Sequence, residues 1–164
     1  MKKLLFILLS VPMLAWPASI GLSYNDWDDY SDGIAIEFDS TLGSNMVFDF
    51  DYHDVDADGT SINVHFMHLG YAFGDLSEGS FHLGVSNFDA DYYDDGSGET
   101  GVTIGYTRRA GAGGDYSIKY SDLDAFEILE FDYVTDSGVS FGIMDDGDGT
   151  TVWTIGYTFQ LGGS

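Results

Sequence analysis

Three groups of residues in this sequence have the types and spacing for chemistry. Asp54-Val-Asp56-Ala-Asp58-Gly59 sets carboxylates at alternate positions before a glycine, as at the start of a calcium loop whose carboxylates converge on a hard cation. The pattern then departs, because the twelfth position, which needs a bidentate glutamate, is His65. A solvated Asp-rich hairpin loop and a loose site for Ca²⁺ or Mg²⁺ both remain open readings. The second group is His53, His65, His68 and His82, imidazoles able to bind metal or respond to protons. They lack tight ligand spacing, so the plainer expectation is that they fill a polar interior and hydrogen-bond its carboxylates. The third is a set of carboxylates at alternate positions, Glu37 with Asp39, Asp49 with Asp51 and Glu130 with Asp132, together with Lys119 and one of Arg108 and Arg109. No phosphate-binding glycine loop or Ser/His/Asp set is evident, and Ala110-Gly-Ala-Gly-Gly114 reads as a turn because no strand-loop-helix context surrounds it. The expectation is a protein without enzymatic activity.

The elements that must position these groups are strands. Apolar residues recur with period two, as in Ile34, Ile36, Phe38; Met46, Phe48, Phe50, Tyr52; Val102, Ile104, Tyr106; and Trp153, Ile155, Tyr157, Phe159. Ten such segments follow one another, separated by stretches rich in Asp, Gly, Ser and Asn that suit successive hairpins. Two segments change phase, near Phe66-Met67 and near Ile128-Leu129, and each calls for a β-bulge or a hidden turn. A count of eight strands stays possible, because the Tyr116 and Val139 segments are short.

The two faces of these strands differ sharply. One is crowded with aliphatic and aromatic residues. The other carries Gly, Ser, Thr and Ala with Glu37, Asp39, Asp49, Asp51, His53, His65, His68, His82, Lys119, Glu130 and Asp132. Aromatics near the strand ends, among them Tyr24, Trp27, Tyr71, Tyr106 and Trp153, are placed as an interfacial girdle. Backbone polar groups in lipid must all be paired, so strands span only as a closed sheet. Both features favour a closed antiparallel up-and-down transmembrane β-barrel with the polar set facing the lumen. A soluble exported acidic β-sandwich is the structural rival, since alternation alone allows a bulky core with a polar outside.

Connections give a further sign. Counted from the first strand, alternate connections and their flanks hold 17 of the 28 acidic residues, including Asp26, Asp28, Asp29, Asp54, Asp56, Asp58, Asp91, Asp94 and Asp95, whereas the other set holds both arginines. Such polarity follows from up-and-down connectivity, and it assigns the acidic connections to the cell exterior.

The signal-like start, the dyad repeats, the aromatic girdle and the closing Trp153-Thr-Ile-Gly-Tyr-Thr-Phe159 segment resemble the small outer-membrane β-barrel proteins of Gram-negative bacteria. The resemblance covers the chain after its first 18 residues and is one of pattern. It implies an outer-membrane location, contact with lipid and lipopolysaccharide, and insertion by the barrel assembly machinery. It also implies a structural, surface-interaction or porin-like role, with a narrow cation-preferring pore as the alternative. One departure from the family is that Gln160-Leu-Gly-Gly-Ser164 follows the aromatic Phe159.

Bulk properties agree. Lys2 and Lys3 followed by the apolar run Leu4–Leu14 read as a cleaved signal peptide, with residues 1–18 removed and 19–164 forming one barrel domain. Cysteine is absent, which excludes a disulfide framework and cysteine-based metal chemistry. The net charge of -23 disfavours a nucleic-acid partner. Loose Ca²⁺ or Mg²⁺ between the acidic loops and lipopolysaccharide is the expected ionic contribution, with no other cofactor.

Overall fold

A computed structural model of the chain describes residues 18–27, 31–57, 60–90, 98–109, 114–147 and 149–161. Of residues 1–18, expected to be a signal peptide, only Ala18 is among them. Their regular structure is entirely β: β1 (Ala18–Trp27), β2 (Ser31–Leu42), β3 (Met46–Ala57), β4 (Thr60–Ala72), β5 (Ser80–Ala90), β6 (Glu99–Arg108), β7 (Asp115–Leu123), β8 (Glu127–Val134), β9 (Val139–Asp145) and β10 (Thr151–Leu161). The β-branched and aromatic residues that alternate along the sequence are those that pack well on a pleated surface.

Each strand pairs antiparallel with its neighbour in sequence, and β1 pairs with β10 from Ala18↔Leu161 to Trp27↔Val152. The sheet therefore closes on itself as a ten-stranded up-and-down barrel, which leaves no edge strand to template association. This overturns the two-sheet sandwich and decides between eight strands and ten. Followed round all ten pairings, a path leaving β1 at Ile20 returns to the β1 line at position 32, twelve residues further on. A stagger of that size goes with strands tilted by roughly 40°.

The two expected phase changes are not bulges. Register runs unbroken through β4, from Tyr71 opposite Met46 to Ser61 opposite Asp56, and through β8, from Val134 opposite Asp115 to Glu127 opposite Asp122. Strict alternation consequently turns Val64 and Phe66 inward on β4, and Ile128 inward on β8, each nearly inaccessible. His65 and Glu127 are thereby turned outward. Phe66, Leu123 and Ile128 pack together across the interior, with Phe88, Phe126 and Met144 against them. Apolar residues thus close the interior toward the end where β1 finishes and β10 starts, called here the far end.

At the near end, where β1 begins and β10 finishes, the β4–β5 turn folds over the rim. Leu76 packs on Val47 and Ala72, and its carbonyl accepts the Arg109 N–H at 2.8 Å. Within the same turn the Ser77 hydroxyl and N–H both donate to Asp75, at 2.7 and 2.8 Å, and hold its carboxyl below the ordinary carboxylate range. Gly138 in the β8–β9 turn has φ 89°, and a Cβ there would lie 2.7 Å from the Thr158 carbonyl, so this position requires glycine.

Single cysteines report these facings directly, because the native chain has none. His65→Cys is expected to react readily with a bulky maleimide in the folded barrel, and Phe66→Cys to react only after unfolding. Comparable labelling of both would contradict the unbroken register of β4.

Candidate functional site

The interior between the two apolar closures is lined by every second residue of the strands, and charge is concentrated there. Asp39 and Asp49 stand directly opposite each other on β2 and β3, as do Glu37 and Asp51. Like charges in such positions are unfavourable without a cation between them. Arg109 enters from the β6–β7 connection and bridges the first pair, 2.9 Å from Asp49 and 3.8 Å from Asp39. Lys119 on β7 joins Asp49 at 3.3 Å to Glu130 on β8 at 2.5 Å. The side chains of Lys119, Asp49 and Glu130 are only 3%, 5% and 8% exposed, so this is a desolvated network. Ser19 donates to Asp39 at 3.1 Å and Ser23 to Glu37 at 2.6 Å. Gly21 makes room for the latter contact, since a Cβ there would lie 2.6 Å from Glu37 Oε2.

Six carboxylates, Glu37, Asp39, Asp49, Asp51, Glu130 and Asp132, therefore share two cations, Arg109 and Lys119. A cavity of about 60 Å³ opens toward the near end among Asp39, Asp49, Arg109 and Lys119. A smaller one of about 30 Å³ lies deeper, between Glu37, Asp51, His53, Glu130 and Asp132. The deeper cavity has room for about one water molecule, and Glu130 Oε2, buried without a hydrogen-bond partner, is there to be satisfied by it.

Three of the four sequence-selected histidines also turn inward. The Asn25 amide donates to His53 Nδ1 at 2.9 Å, and the His53 ring meets Trp27 edge-on. His68 Nε2 and His82 Nδ1 lie 3.2 Å apart. From His68 the chain of contacts runs to Ser86, Thr103 and Ser121, at 3.1, 2.5 and 2.7 Å. From His82 it runs to Thr107 and Ser117, at 3.1 and 3.0 Å. Glycines make this layer possible: a Cβ on Gly70 would sit 2.7 Å from His68 Nε2 and 3.1 Å from His82 Nδ1. The fourth, His65, does not join them. It lies on the outward face, its ring centroid 5.1 Å from that of Tyr52 and 6.2 Å from that of Phe50.

The calcium-like segment takes a different shape from a loop. Asp54 and Asp56 belong to β3, two residues apart on its outward face, and pair with β4 through Asn63 and Ser61. Asp54 accepts from the Ser61 hydroxyl at 2.6 Å. Ladder pairing extends the segment that a calcium loop would have to curl round an ion, and Asp58 lies outside the described residues. No group of three or more His, Asp or Glu side chains is arranged to hold a metal ion among the described residues.

Some members of the interior were not singled out by pattern. Arg109 is one of two equivalent candidates in the sequence, and Phe88 and the serine–threonine chain carry no signal beyond alternation itself. Trp27, expected in the outward girdle, instead turns inward, because the alternation that buries Ser19, Ser23 and Asn25 puts it on the same face, where its ring meets His53. Compared with protein-family models and with curated proteins, the sequence matches none.

The network predicts a specific pattern of stabilities. Lys119→Met leaves Glu130 and Asp49 short of a buried counter-charge and is expected to cost about 3–5 kcal/mol. Adding Glu130→Met should restore most of that loss, since an apolar pair of similar volume avoids the desolvation. Urea unfolding followed by tryptophan fluorescence measures both. A double variant as unstable as the single one would show that Lys119 and Glu130 are not coupled.

Proposed function

We propose that this chain is an outer-membrane β-barrel of a Gram-negative bacterium, exported through a cleaved signal peptide, with an interior sealed by its own side chains. Its role on this reading is structural or surface-interacting, carried by the carboxylate-rich far end. The observation that supports it most is the outward face. Among the described residues, twenty-two large apolar side chains stay substantially exposed, including Leu22, Leu69, Leu83, Ile104, Phe131 and Ile155, and all but Phe73 lie on strands, nine of the ten. Soluble monomers rarely expose a contiguous apolar patch above a few hundred Å², and a ring of such residues suits hydrocarbon. Along each strand the apolar stretch gives way to polar residues toward the far end: Asp26 after Tyr24, Asp54 after Tyr52, His65 and Asn63 beyond Met67, Asn87 and Asp89 after Val85, Asp122 after Tyr120. That boundary is where a membrane–water interface would lie.

The sealed interior favours a structural role over the narrow cation-preferring pore. Phe66, Leu123 and Ile128 pack across it on one side, and Lys119, Arg109 and their carboxylate partners fill it on the other. An acidic far end would repel anionic lipopolysaccharide, so divalent cations loosely held between the two are part of this proposal. Tyr157 and Phe159, outward on the closing strand, are the side chains offered to the barrel assembly machinery.

A central outward substitution separates the membrane reading from a soluble one. Ile104→Arg should cost about 2–4 kcal/mol if the site faces the bilayer midplane. It should change stability by less than about 0.5 kcal/mol at an exposed position in water. The wild-type chain should fractionate with outer membranes, migrate differently on gels before and after heating, and give no conductance steps in planar bilayers. Recovery in the soluble periplasmic fraction would overturn the location, and steady cation-selective steps would restore the pore.

A further inference from the structure

The far end holds a pocket that the sealed interior does not use. It has a volume of about 280 Å³, several times the cavities among the charges. Its walls are aromatic, Trp27 from β1, Phe88 from β5 and Phe126 from the β7–β8 turn, with Met144 and Val152 beneath them and Asp146 of the β9–β10 turn at the rim. Phe88 and Phe126 meet edge-to-face, with centroids 5.1 Å apart and planes at 88°. The rest of this end adds negative potential, with Asp122, Asp124 and Glu127 around the β7–β8 turn and Asp145 beside Asp146.

Aromatic rings line a small concave space together with the Asp146 carboxylate, which also accepts the Thr150 N–H at 2.9 Å, and such a lining is complementary to one ligand chemistry. A substituted ammonium is attracted to the negative faces of aromatic rings, presents apolar methyl groups to them, and needs no hydrogen bonds in return. An anion would be repelled here. A strongly hydrated metal ion would find one carboxylate and hydrocarbon where it needs several oxygens. We infer that this pocket binds a small molecule carrying a quaternary ammonium group. Its lining side chains point into the barrel mouth and not out of the wall, which selects a free solute over the headgroup of a surrounding lipid. The inference rests on the closed barrel and is independent of which compartment the far end faces.

Trp27 lines the pocket and serves as the reporter once Trp153→Phe removes the other tryptophan of the 19–164 barrel domain. The processed chain carrying this change, folded in phosphatidylglycerol nanodiscs free of choline headgroups, is titrated with choline and with its neutral isostere 3,3-dimethylbutan-1-ol. Choline is expected to give a saturable change in fluorescence with an affinity about tenfold higher than the neutral compound. Asp146→Asn and, independently, Phe126→Leu should each weaken choline binding several-fold while leaving the barrel's heat-modifiable migration unchanged. Equal binding of the two probes would overturn the ammonium class. No saturable response to choline would overturn the site. A response in phosphatidylcholine discs that is already saturated before choline is added would assign the ammonium to lipid and overturn the choice of a free solute. If the chain proves soluble, the same titration in buffer decides the site while the membrane reading falls separately.

Discussion

Once the sheet is closed, each strand residue has only two places for its side chain, and consecutive residues must take opposite ones. Ten strands with a twelve-residue stagger fix the width of the ring, so the inward set must fill a limited volume without voids. Bulky residues cannot occupy every inward position. Gly21, Gly70, Gly84, Gly105 and Gly142 are the positions where the larger side chains Glu37, His68, His82 and Thr154 find space. The composition of the inner face, small residues interleaved with a few large polar ones, is a consequence of that geometry before it is a matter of function.

Electrostatics then decides how the interior is arranged. A buried carboxylate is expensive unless it is paired or wet, and here six of them share two cations. Arg109 and Lys119 are spent on Asp39, Asp49 and Glu130, where carboxylates crowd closest, and serines 19 and 23 meet the outer members. The deeper cavity falls among the remaining carboxylates, Glu37, Asp51 and Asp132, where a water contributes most. The apolar residues of the interior are gathered at the two ends, Leu76 with Val47 and Ala72 at one, Phe66 with Leu123 and Ile128 at the other. A low-dielectric closure above and below strengthens the ion pairs between them, so the charged layer and the apolar closures support one another.

Alternation made most of this legible from the sequence. It marks ten segments and the inward position of Glu37, Asp39, Asp49, Asp51, His53, His68, His82, Lys119, Glu130 and Asp132, whereas closure into a barrel rests on the aromatic girdle and on the pairing of backbone groups. It misled where hydrophobicity was taken as a proxy for direction. Val64, Phe66 and Ile128 are as oily as the outward residues, and reading them outward forced two bulges that the register does not contain. Their inward position is a tertiary effect: apolar residues from β4, β7 and β8 are bulky enough to meet across the interior, which no single strand can reveal. His65 was misplaced by the same slip of one residue. Arg109 was hard to choose because it follows the last residue of its strand, where alternation stops assigning a side. The calcium-like spacing takes another course for a related reason, since Asp54 and Asp56, alternate carboxylates that would approach an ion in a curled loop, point the same way along a straight strand.

The separation of charge from hydrocarbon also limits what such a molecule can do. A barrel whose interior is filled can act only through its surfaces or its mouths, so any ligand recognition must be built from the last inward residues of the strands and the turns that join them. At the near end those residues are Leu76 and Arg109, already engaged with Val47, Ala72 and the Asp39–Asp49 pair. At the far end the inward positions are aromatic and aliphatic, while the turns between them supply carboxylates. The same alternation that turns Trp27 and Phe88 inward sends Asp26 and Asp89 outward, one residue away on the same strands. Apolar walls ringed by negative charge therefore arise at this end from the strand period itself, and a ligand that fits there must carry both an apolar surface and a positive charge.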